Sequence, residues 1–321
     1  MLTSRPLVSA VIPTHRRSDL VIHAVRSALG QSLEALEVIV VVDGDDDGTA
    51  YALRQFGDPR LRVVISRARL GNAEARNAGV TEARATWVAF LDDDDLWLPL
   101  KLERQLQTAL RSSLSRPIVS CRLIARSEAS DFVWPRRLPA PGEALSEYLF
   151  CRSSVFSGEG ILPTSTIFTS RALLQDVPFR RGLLKHVDPD WLFRAIACEG
   201  AGVEFVTDRE PLAIWNIDER RSRISNNVGW RYSIDWIREN RELVTSRAYA
   251  SFLLTVASST AARAGDWRAF PLLVTEAYRG GKPSMIDLGI HLANFLVPDA
   301  VRRWSAGASA RRHARVARQE S

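Results

Sequence analysis

The chain has 321 residues, of which 46% are hydrophobic and 25% charged, and a formal net charge of +6. These values fit a folded globular protein with one large α/β domain and a smaller appendage, and they exclude a largely disordered chain. The basic excess is compatible with anionic substrates or anionic lipid, and no nucleic-acid partner is expected.

Cys121, Cys151 and Cys198 are far apart and match no metal-ligand spacing, so they read as reduced thiols. Val8 to Ile12 is apolar but stops at Pro13, which suits a strand and not a leader peptide. No segment offers the ~18 uninterrupted apolar residues of a spanning helix. A cytoplasmic protein is therefore expected, with peripheral contact with the inner face of the cell membrane left open.

Leu7 to Ile12 predicts the first strand. Ser18 or Asp19 is placed to cap a helix running through Leu20, Ile22, Ala24, Val25 and Leu29 toward Gly30. Leu36 to Val42 is almost wholly aliphatic, as expected of a strand covered on both faces. Asp43 to Gly48 is an acidic turn. A helix is then predicted over 49–56, a strand over 61–65, a helix over 72–83 and a strand over 87–91. Pro99 suits the opening of another helix, with Leu100, Leu102, Leu106 and Leu110 along one side. This alternation predicts an α/β fold, a mostly parallel sheet with helices on both faces. Beyond Pro117 the pattern is less regular: Thr164 to Thr169 is strand-like, and 181–200 reads as a loop and helix. From about Trp230 the chain turns helical, with a hairpin predicted around Gly265-Asp266.

The fourth predicted strand ends in Asp92-Asp93-Asp94-Asp95. Adjacent carboxylates repel one another, and a hard cation such as Mg²⁺ or Mn²⁺ would neutralise them. Such ions also hold substrate phosphates, and open α/β sheets bind ligands at the carboxyl ends of their strands. The alternative for an isolated acidic run is a solvated turn.

Four ordered segments carry a resemblance. They are Val8 to Arg17, Val40 to Thr49, Gly71-Asn72-Ala73-Glu74-Ala75-Arg76-Asn77-Ala78-Gly79, and Phe90 to Asp95 with Trp97 and Pro99. Together they resemble the family 2 glycosyltransferases, of GT-A fold, over roughly residues 7 to 220. The second segment departs from the family pattern, because Gly44 stands where a second acidic residue is usual.

The resemblance implies a metal-dependent, inverting transferase that moves a sugar from a nucleotide-diphosphate donor, UDP-linked, to a glycan or lipid-linked acceptor in surface-polysaccharide synthesis. It implies a donor site of Pro13, Thr14, Arg16, Asp43, Arg76, Asp92 and Asp93, with Asp92 and Asp94 on the metal and Asp94 the more direct ligand. Asp43 at a strand end suits a uracil-type imide N–H, and a turn or helix-capping role is its alternative. Arg76 suits bidentate pairing with diphosphate, and a surface ion pair with Glu74 or Glu82 is its alternative. Asp93 is placed toward the ribose, and Asp95 as a cap of the following helix.

A displacement at the anomeric carbon needs a carboxylate to take the acceptor proton. Lys185 to Arg194 resembles the family's Glu-Asp motif, with Val187 in place of the Glu and Asp188 in place of the Asp. Asp188 is the expected base; Asp190 is its rival, and helix capping is the alternative for both. Trp97 and Trp191 suit either sugar stacking or packing, and Glu159 a donor-sugar contact. His186 is read as a packing residue.

The implied organisation is a transferase domain over 1–225, with a nucleotide-binding half near 1–115 and an acceptor half over 116–225, then a helical region over 226–300 and a basic tail over 301–321. The Arg220 to Arg223 cluster suits closure over a diphosphate or a solvated loop. The helical residues 286–297 beside an arginine-rich tail suit either an anionic membrane surface or a docked helix with a solubilising tail. Two other functions stay open at this stage. One is a non-catalytic nucleotide-sugar-binding module, since the base motif lacks its Glu. The other is a sugar-nucleotide pyrophosphorylase, which the absence of a glycine-rich loop after the first strand disfavours. The missing G-x-G-x-x-G likewise disfavours a dehydrogenase.

Overall fold

The computed structural model describes residues 5–128, 130–154, 158–217 and 228–297. The arginine cluster at 220–223 and the basic tail lie outside the described residues. The first elements are β1 (Val8–Thr14), α1 (Ser18–Leu29), β2 (Leu36–Asp43), α2 (Asp47–Arg54), β3 (Leu61–Ser66), α3 (Asn72–Glu82) and β4 (Trp87–Phe90). Then come β5 (Leu96–Trp97), α4 (Lys101–Arg111), β6 (Arg116–Ser120), β7 (Leu123–Arg126), β8 (Asp131–Trp134), α5 (Leu145–Phe150), β9 (Phe168–Ser170) and α6 (Arg171–Asp176). The remainder are α7 (Val187–Ile196), β10 (Ala201–Phe205), β11 (Ala213–Asn216), α8 (Trp230–Glu239), α9 (Ser246–Phe252), α10 (Ser258–Arg263), α11 (Ala269–Gly280) and α12 (Met285–Leu296).

The chain forms two compact units. The first holds the described residues within 5–125, 162–183 and 187–217; the second holds those within 126–161, 184–186 and 228–297. The first unit is built on a seven-stranded sheet ordered β10-β6-β9-β4-β1-β2-β3. The pairs β1–β2, β1–β4, β2–β3 and β10–β6 are parallel, whereas β9 runs antiparallel to both β4 and β6. Every residue of β1 and β2 is buried. Successive strand residues point to opposite faces, so both faces of the sheet are covered, as the aliphatic run at 36–42 predicts. A smaller sheet begins with β5, β11 and β7, with β11 antiparallel to β5.

Helix α3 packs closely on β1. A Cβ at Gly79 would lie 2.3 Å from Val11 Cγ1, so glycine is required there for helix and strand to touch. Asn77 fixes the same helix from the side: its amide donates to Phe179 O and accepts from Phe179 N, both at 2.9 Å. It ties two distant segments together rather than supporting a local turn.

Three local expectations are corrected. Arg17, not Ser18 or Asp19, is the N-cap of α1, and no side chain caps it. The buried stripe of α4 is Leu102, Gln105, Leu106 and Ala109, while Leu100 and Leu110 are exposed. Gln105 is accepted in the core because its amide donates to Val119 O and Thr166 O. Thr164–Thr166 is a 3₁₀ turn, and the strand starts only at Phe168. Ser165 and Thr166 hydroxyls there bond across to other segments, an alternative to a ladder that short hydroxyl side chains favour.

In the second unit, α9 to α10 runs almost continuously through a π turn at Leu253–Ala257, and Gly265 in the left-handed region (φ +67°) turns the chain toward α11. Its core includes Phe150 against Phe252 (4.8 Å between ring centroids) and His186 stacked on Trp236 (4.6 Å). Burial drives the His186 imidazole down to about 3, so it is neutral and packs as an aromatic ring. Glu159 is held by its own loop, accepting from Ser153 N (2.8 Å), Ser153 Oγ (2.9 Å) and Ser154 Oγ (2.5 Å). Among the described residues no helix is long and apolar enough to cross a membrane.

Candidate active site

The first unit gathers the predicted site residues at the carboxyl ends of its parallel strands. β2 ends in Asp43, which is 4% exposed. Its carboxylate accepts from Leu70 N (2.5 Å) and Gly71 N (3.0 Å) and meets Arg69 at 3.4 Å. This clamps the loop that leads into α3. His15 Nδ1 lies 2.5 Å from the Asp43 carbonyl oxygen, which joins the end of β1 to the end of β2.

β1 ends in Pro13 and Thr14, and Thr14 Oγ1 donates to Asp93 Oδ2 at 2.8 Å. Arg16 adopts φ +51°, and its backbone N–H donates to Asp46 Oδ2 at 2.9 Å. That kink makes Arg17 the inward-facing cation: Nη1 lies 3.0 Å from Asp93 and 3.5 Å from Asp94. Sequence reasoning chose Arg16 and missed Arg17. Nothing in the spacing distinguishes adjacent arginines; the left-handed conformation of Arg16 itself does.

The four aspartates have separate environments. Asp92 pairs with Arg76 Nη2 at 2.7 Å and keeps 30% of its side-chain surface exposed. Asp93 is buried, and burial pushes its carboxyl up to about 6 against the pull of Arg17 and Thr14. Asp94 meets Arg17. Asp95 is fully buried, accepting from Ser165 Oγ (2.6 Å) and Asn216 N (3.0 Å), while the Asn216 amide donates to the Asp94 carbonyl. Asp95 therefore does not cap α4, whose N-cap is Leu100. It ties the aspartate turn to β11 and to the 3₁₀ turn. Burial first, then Asp92 and Asp94, raises its carboxyl well above the ordinary range.

Arg76 is almost wholly buried, at 2% exposure, so the surface-pair alternative does not hold. Its guanidinium also reaches Asp188 Oδ1 at 3.4 Å and lies 5.5 Å from the Phe179 ring centre. Burial works against the charged form, but Asp92 and Asp188 outweigh it and keep Arg76 charged. Its Nε is buried with no hydrogen-bond partner.

Asp188 sits in the first turn of α7, accepts from Thr164 Oγ1 at 2.5 Å and retains 28% side-chain exposure. Burial raises its carboxyl above the usual range, Arg76 opposes the rise and Asp92 adds to it. Asp190 is different. It is 0% exposed and spans Arg180 (3.2 Å) and Arg194 (3.0 Å), which gives it the structural role of holding α7. Trp191 is also fully buried, stacked on Phe179, with Nε1 donating to Val177 O at 2.8 Å. Trp97 is buried, with its indole N–H on Ser165 O. Both tryptophans are packing residues.

The sequence profile of Glycosyl transferase family 2 matches residues 9–177, more than half of the chain. The chain belongs to glycosyl transferase family 2. Among curated relatives of this glycosyltransferase, the amylovoran biosynthesis glycosyltransferase AmsB of Erwinia amylovora is 27% identical over 74% of this chain and 79% of its own length. TuaG of Bacillus subtilis, named a putative teichuronic acid biosynthesis glycosyltransferase, is 37% identical over 39% of this chain and 51% of its own. Escherichia coli WfgD, a UDP-Glc:alpha-D-GlcNAc-diphosphoundecaprenol beta-1,3-glucosyltransferase, is 29% identical over 41% of this chain and 53% of its own.

Two solved structures share the GT-A fold. S. aureus TarS 1-349 in complex with UDP-GlcNAc aligns with a TM-score of 0.55 at 15% identity, covering 89% of this chain and 90% of that one. The mannosyltransferase PcManGT from Pyrobaculum calidifontis, in complex with GDP-Man and Mn²⁺, aligns with a TM-score of 0.55 at 19% identity, covering 95% and 85%.

The donor set of the glycosyltransferase suits a hard cation. Among the described residues no three carboxylate, imidazole or thiol groups converge on one metal position. Mg²⁺-type ions, however, are commonly held by one or two carboxylates with substrate phosphates supplying the rest. Asp92 and Asp94 offer oxygen donors only, and each now leans on an arginine, so the aspartate turn is already arranged around positive charge.

Proposed function

We propose that this glycosyltransferase inverts the anomeric carbon of a nucleotide-diphosphate sugar, UDP-linked, and delivers the sugar to a hydroxyl of a glycan or lipid-linked acceptor in surface-polysaccharide synthesis. The observation that carries the reading is the buried Arg76, shared between Asp92 in the aspartate turn and Asp188 at the start of α7. It brings a diphosphate-binding cation, a metal-side carboxylate and a base within one cluster. The names of AmsB and WfgD support the class of acceptor, and the ligands of TarS and PcManGT the class of donor.

In this reading Asp43 accepts from the base, with Pro13 and Thr14 completing the pocket. Among the described residues Asp43 Oδ1 takes only the Leu70 N–H, whereas Oδ2 takes the Gly71 N–H and faces Arg69, so Oδ1 is the acceptor offered to the base. Arg17, which faces Asp93 and Asp94, flanks the ribose and phosphates together with Asp93, in place of the Arg16 expected from the sequence. Arg76, the cation between Asp92 and Asp188, binds diphosphate oxygen. Asp92 and Asp94 hold Mg²⁺ or Mn²⁺ together with that diphosphate. When bound, the ion neutralises charge on the leaving diphosphate. Asp188 removes the proton from the acceptor hydroxyl as its oxygen bonds to the anomeric carbon. The bond from that carbon to the diphosphate oxygen breaks, and the electron pair leaves with the nucleotide.

The test is release of nucleoside diphosphate from a panel of nucleotide sugars with Mn²⁺, an acceptor, and Asp94→Ala or chelator as controls. Release from one donor, lost on chelation and in Asp94→Ala, supports the reading. Release that persists in both would sink the metal assignment, and turnover of a non-UDP donor alone would sink the UDP assignment.

A further inference from the structure

Helix α12 is apolar on its outer side as well as at the buried Phe295. An ordinary surface helix buries its apolar stripe and exposes its polar face. Here the two ionisable residues point inward. Asp287 is fully buried, accepts from Ser251 Oγ (2.8 Å) and Ser284 N (2.8 Å), and pairs with Arg247. His291 is 1% exposed and lies between Ser258 Oγ (2.8 Å) and Phe270 O (3.1 Å). A carbonyl only accepts, so Nε2 carries the proton and Ser258 donates to Nδ1.

The outer face is Met285, Gly289, Leu292 and Leu296, spaced i, i+4, i+7 and i+11. Met285, Leu292 and Leu296 are 81%, 46% and 65% exposed. Trp267, also exposed, packs its ring 5.3 Å from Phe295 of α12 and extends this face with an aromatic. Exposed cations stand beside it: Arg268 follows Trp267, and Lys282 precedes the helix. The chain after α12, residues 298–321, carries six arginines against two acidic residues.

We propose that α12 lies flat on an anionic lipid surface, with its outer face at the headgroup–acyl boundary, Trp267 at the rim, and the exposed Arg268 and Lys282 on the acidic headgroups. Apolar face, interfacial tryptophan and flanking cations are the combination such surfaces select. Twelve residues span roughly 18 Å, too short to cross a bilayer, so the helix rests on the surface. A second copy of the chain is the weaker occupant, because pairing two α12 faces would bring Arg268 and Lys282 of both copies together. The inference is independent of the donor and acceptor assigned above, so its failure leaves that reading standing.

The test is co-sedimentation of the full-length protein with phosphatidylcholine vesicles, with and without phosphatidylglycerol. Binding to the anionic vesicles is expected, weakened by salt, and at least tenfold weaker in Leu292→Glu/Leu296→Glu. The uncharged pair Met285→Gln/Leu292→Gln is expected to weaken it in the same direction. Leu272→Glu puts the same charge on α11, at a 50% exposed position in a groove beside α8, and is expected to keep binding. Unchanged melting and unchanged nucleoside diphosphate release in solution confirm that the variants are folded. Three results overturn the proposal: wild-type binding in both α12 variants, equal loss in Leu272→Glu, or a dimer dispersed by the α12 variants with no vesicle binding.

Discussion

Arg76 Nη1 stands 3.4 Å from Asp188 Oδ1, while Nη2 of the same buried guanidinium stands 2.7 Å from Asp92 Oδ1. One cation thus joins the proposed base to a proposed metal-side carboxylate. Removing it would leave two carboxylates with reduced compensation in a crowded site, and such losses cost about 3–5 kcal/mol.

Asp188→Asn keeps the shape of the side chain and its contact with Thr164 but cannot take a proton. Turnover is expected to fall by about 10²–10⁴-fold with nucleotide affinity and melting temperature nearly unchanged. Asp190→Asn should behave in the opposite way. It leaves Arg180 and Arg194 without their buried carboxylate and should lower stability by about 3–5 kcal/mol. Paired thermal melts and single-turnover rates on the two variants separate these outcomes; full activity in Asp188→Asn would remove it as the base.

The pH profile follows from the same pair. Burial raises the Asp188 carboxyl, so kcat/KM should climb with pH as that group loses its proton, above the ordinary carboxylate range. Arg76 opposes the rise, so Arg76→Met should move this acid limb to higher pH as well as lower the rate. An acid limb at the same position in wild type and Arg76→Met would show that another group controls it.

Lys101 is a buried cation with no carboxylate at hand. Its ammonium donates to Gln105 Oε1 at 2.6 Å and lies 4.0 Å from the Trp97 ring centre. Burial pulls it from 10.5 down to about 8, a penalty of about 3 kcal/mol at neutral pH. The folded value lies below the unfolded one, so the unfolded chain holds more protons between pH 8 and 10.5, and wild-type stability gains from this group as pH rises there. Lys101→Met should therefore be more stable than wild type at pH 7, by about 1–2 kcal/mol once the unmet Gln105 acceptor is counted, with the gap closing toward pH 10. Denaturant unfolding at both pH values checks the sign.

Gly79→Ala adds a methyl group 2.3 Å from Val11 Cγ1. Because α3 carries Arg76 and β1 carries Thr14, the strain would fall on the site as well as the core. A loss of about 1–3 kcal/mol is expected, with weaker nucleotide binding, measurable by denaturation and calorimetry.

The sequence by itself determined the family and the strand–helix alternation that gives a mostly parallel sheet. Short apolar runs that lead into Asp43 and Asp92 read as buried strands with acidic residues at or just past their carboxyl ends, because period and turn residues are local signals. Only the tertiary structure decided which neighbour does what. Arg17 rather than Arg16 faces the aspartates because of one left-handed residue, and Asp188 rather than Asp190 stays open because two arginines close over the latter. Likewise Asp95 and Ser165 lock the aspartate turn to β11 and the 3₁₀ turn, and α12 faces its leucines outward because Ser251, Ser258 and Arg247 claim its polar side. These choices depend on partners distant in sequence, where burial and hydrogen bonding across the fold outweigh any local pattern.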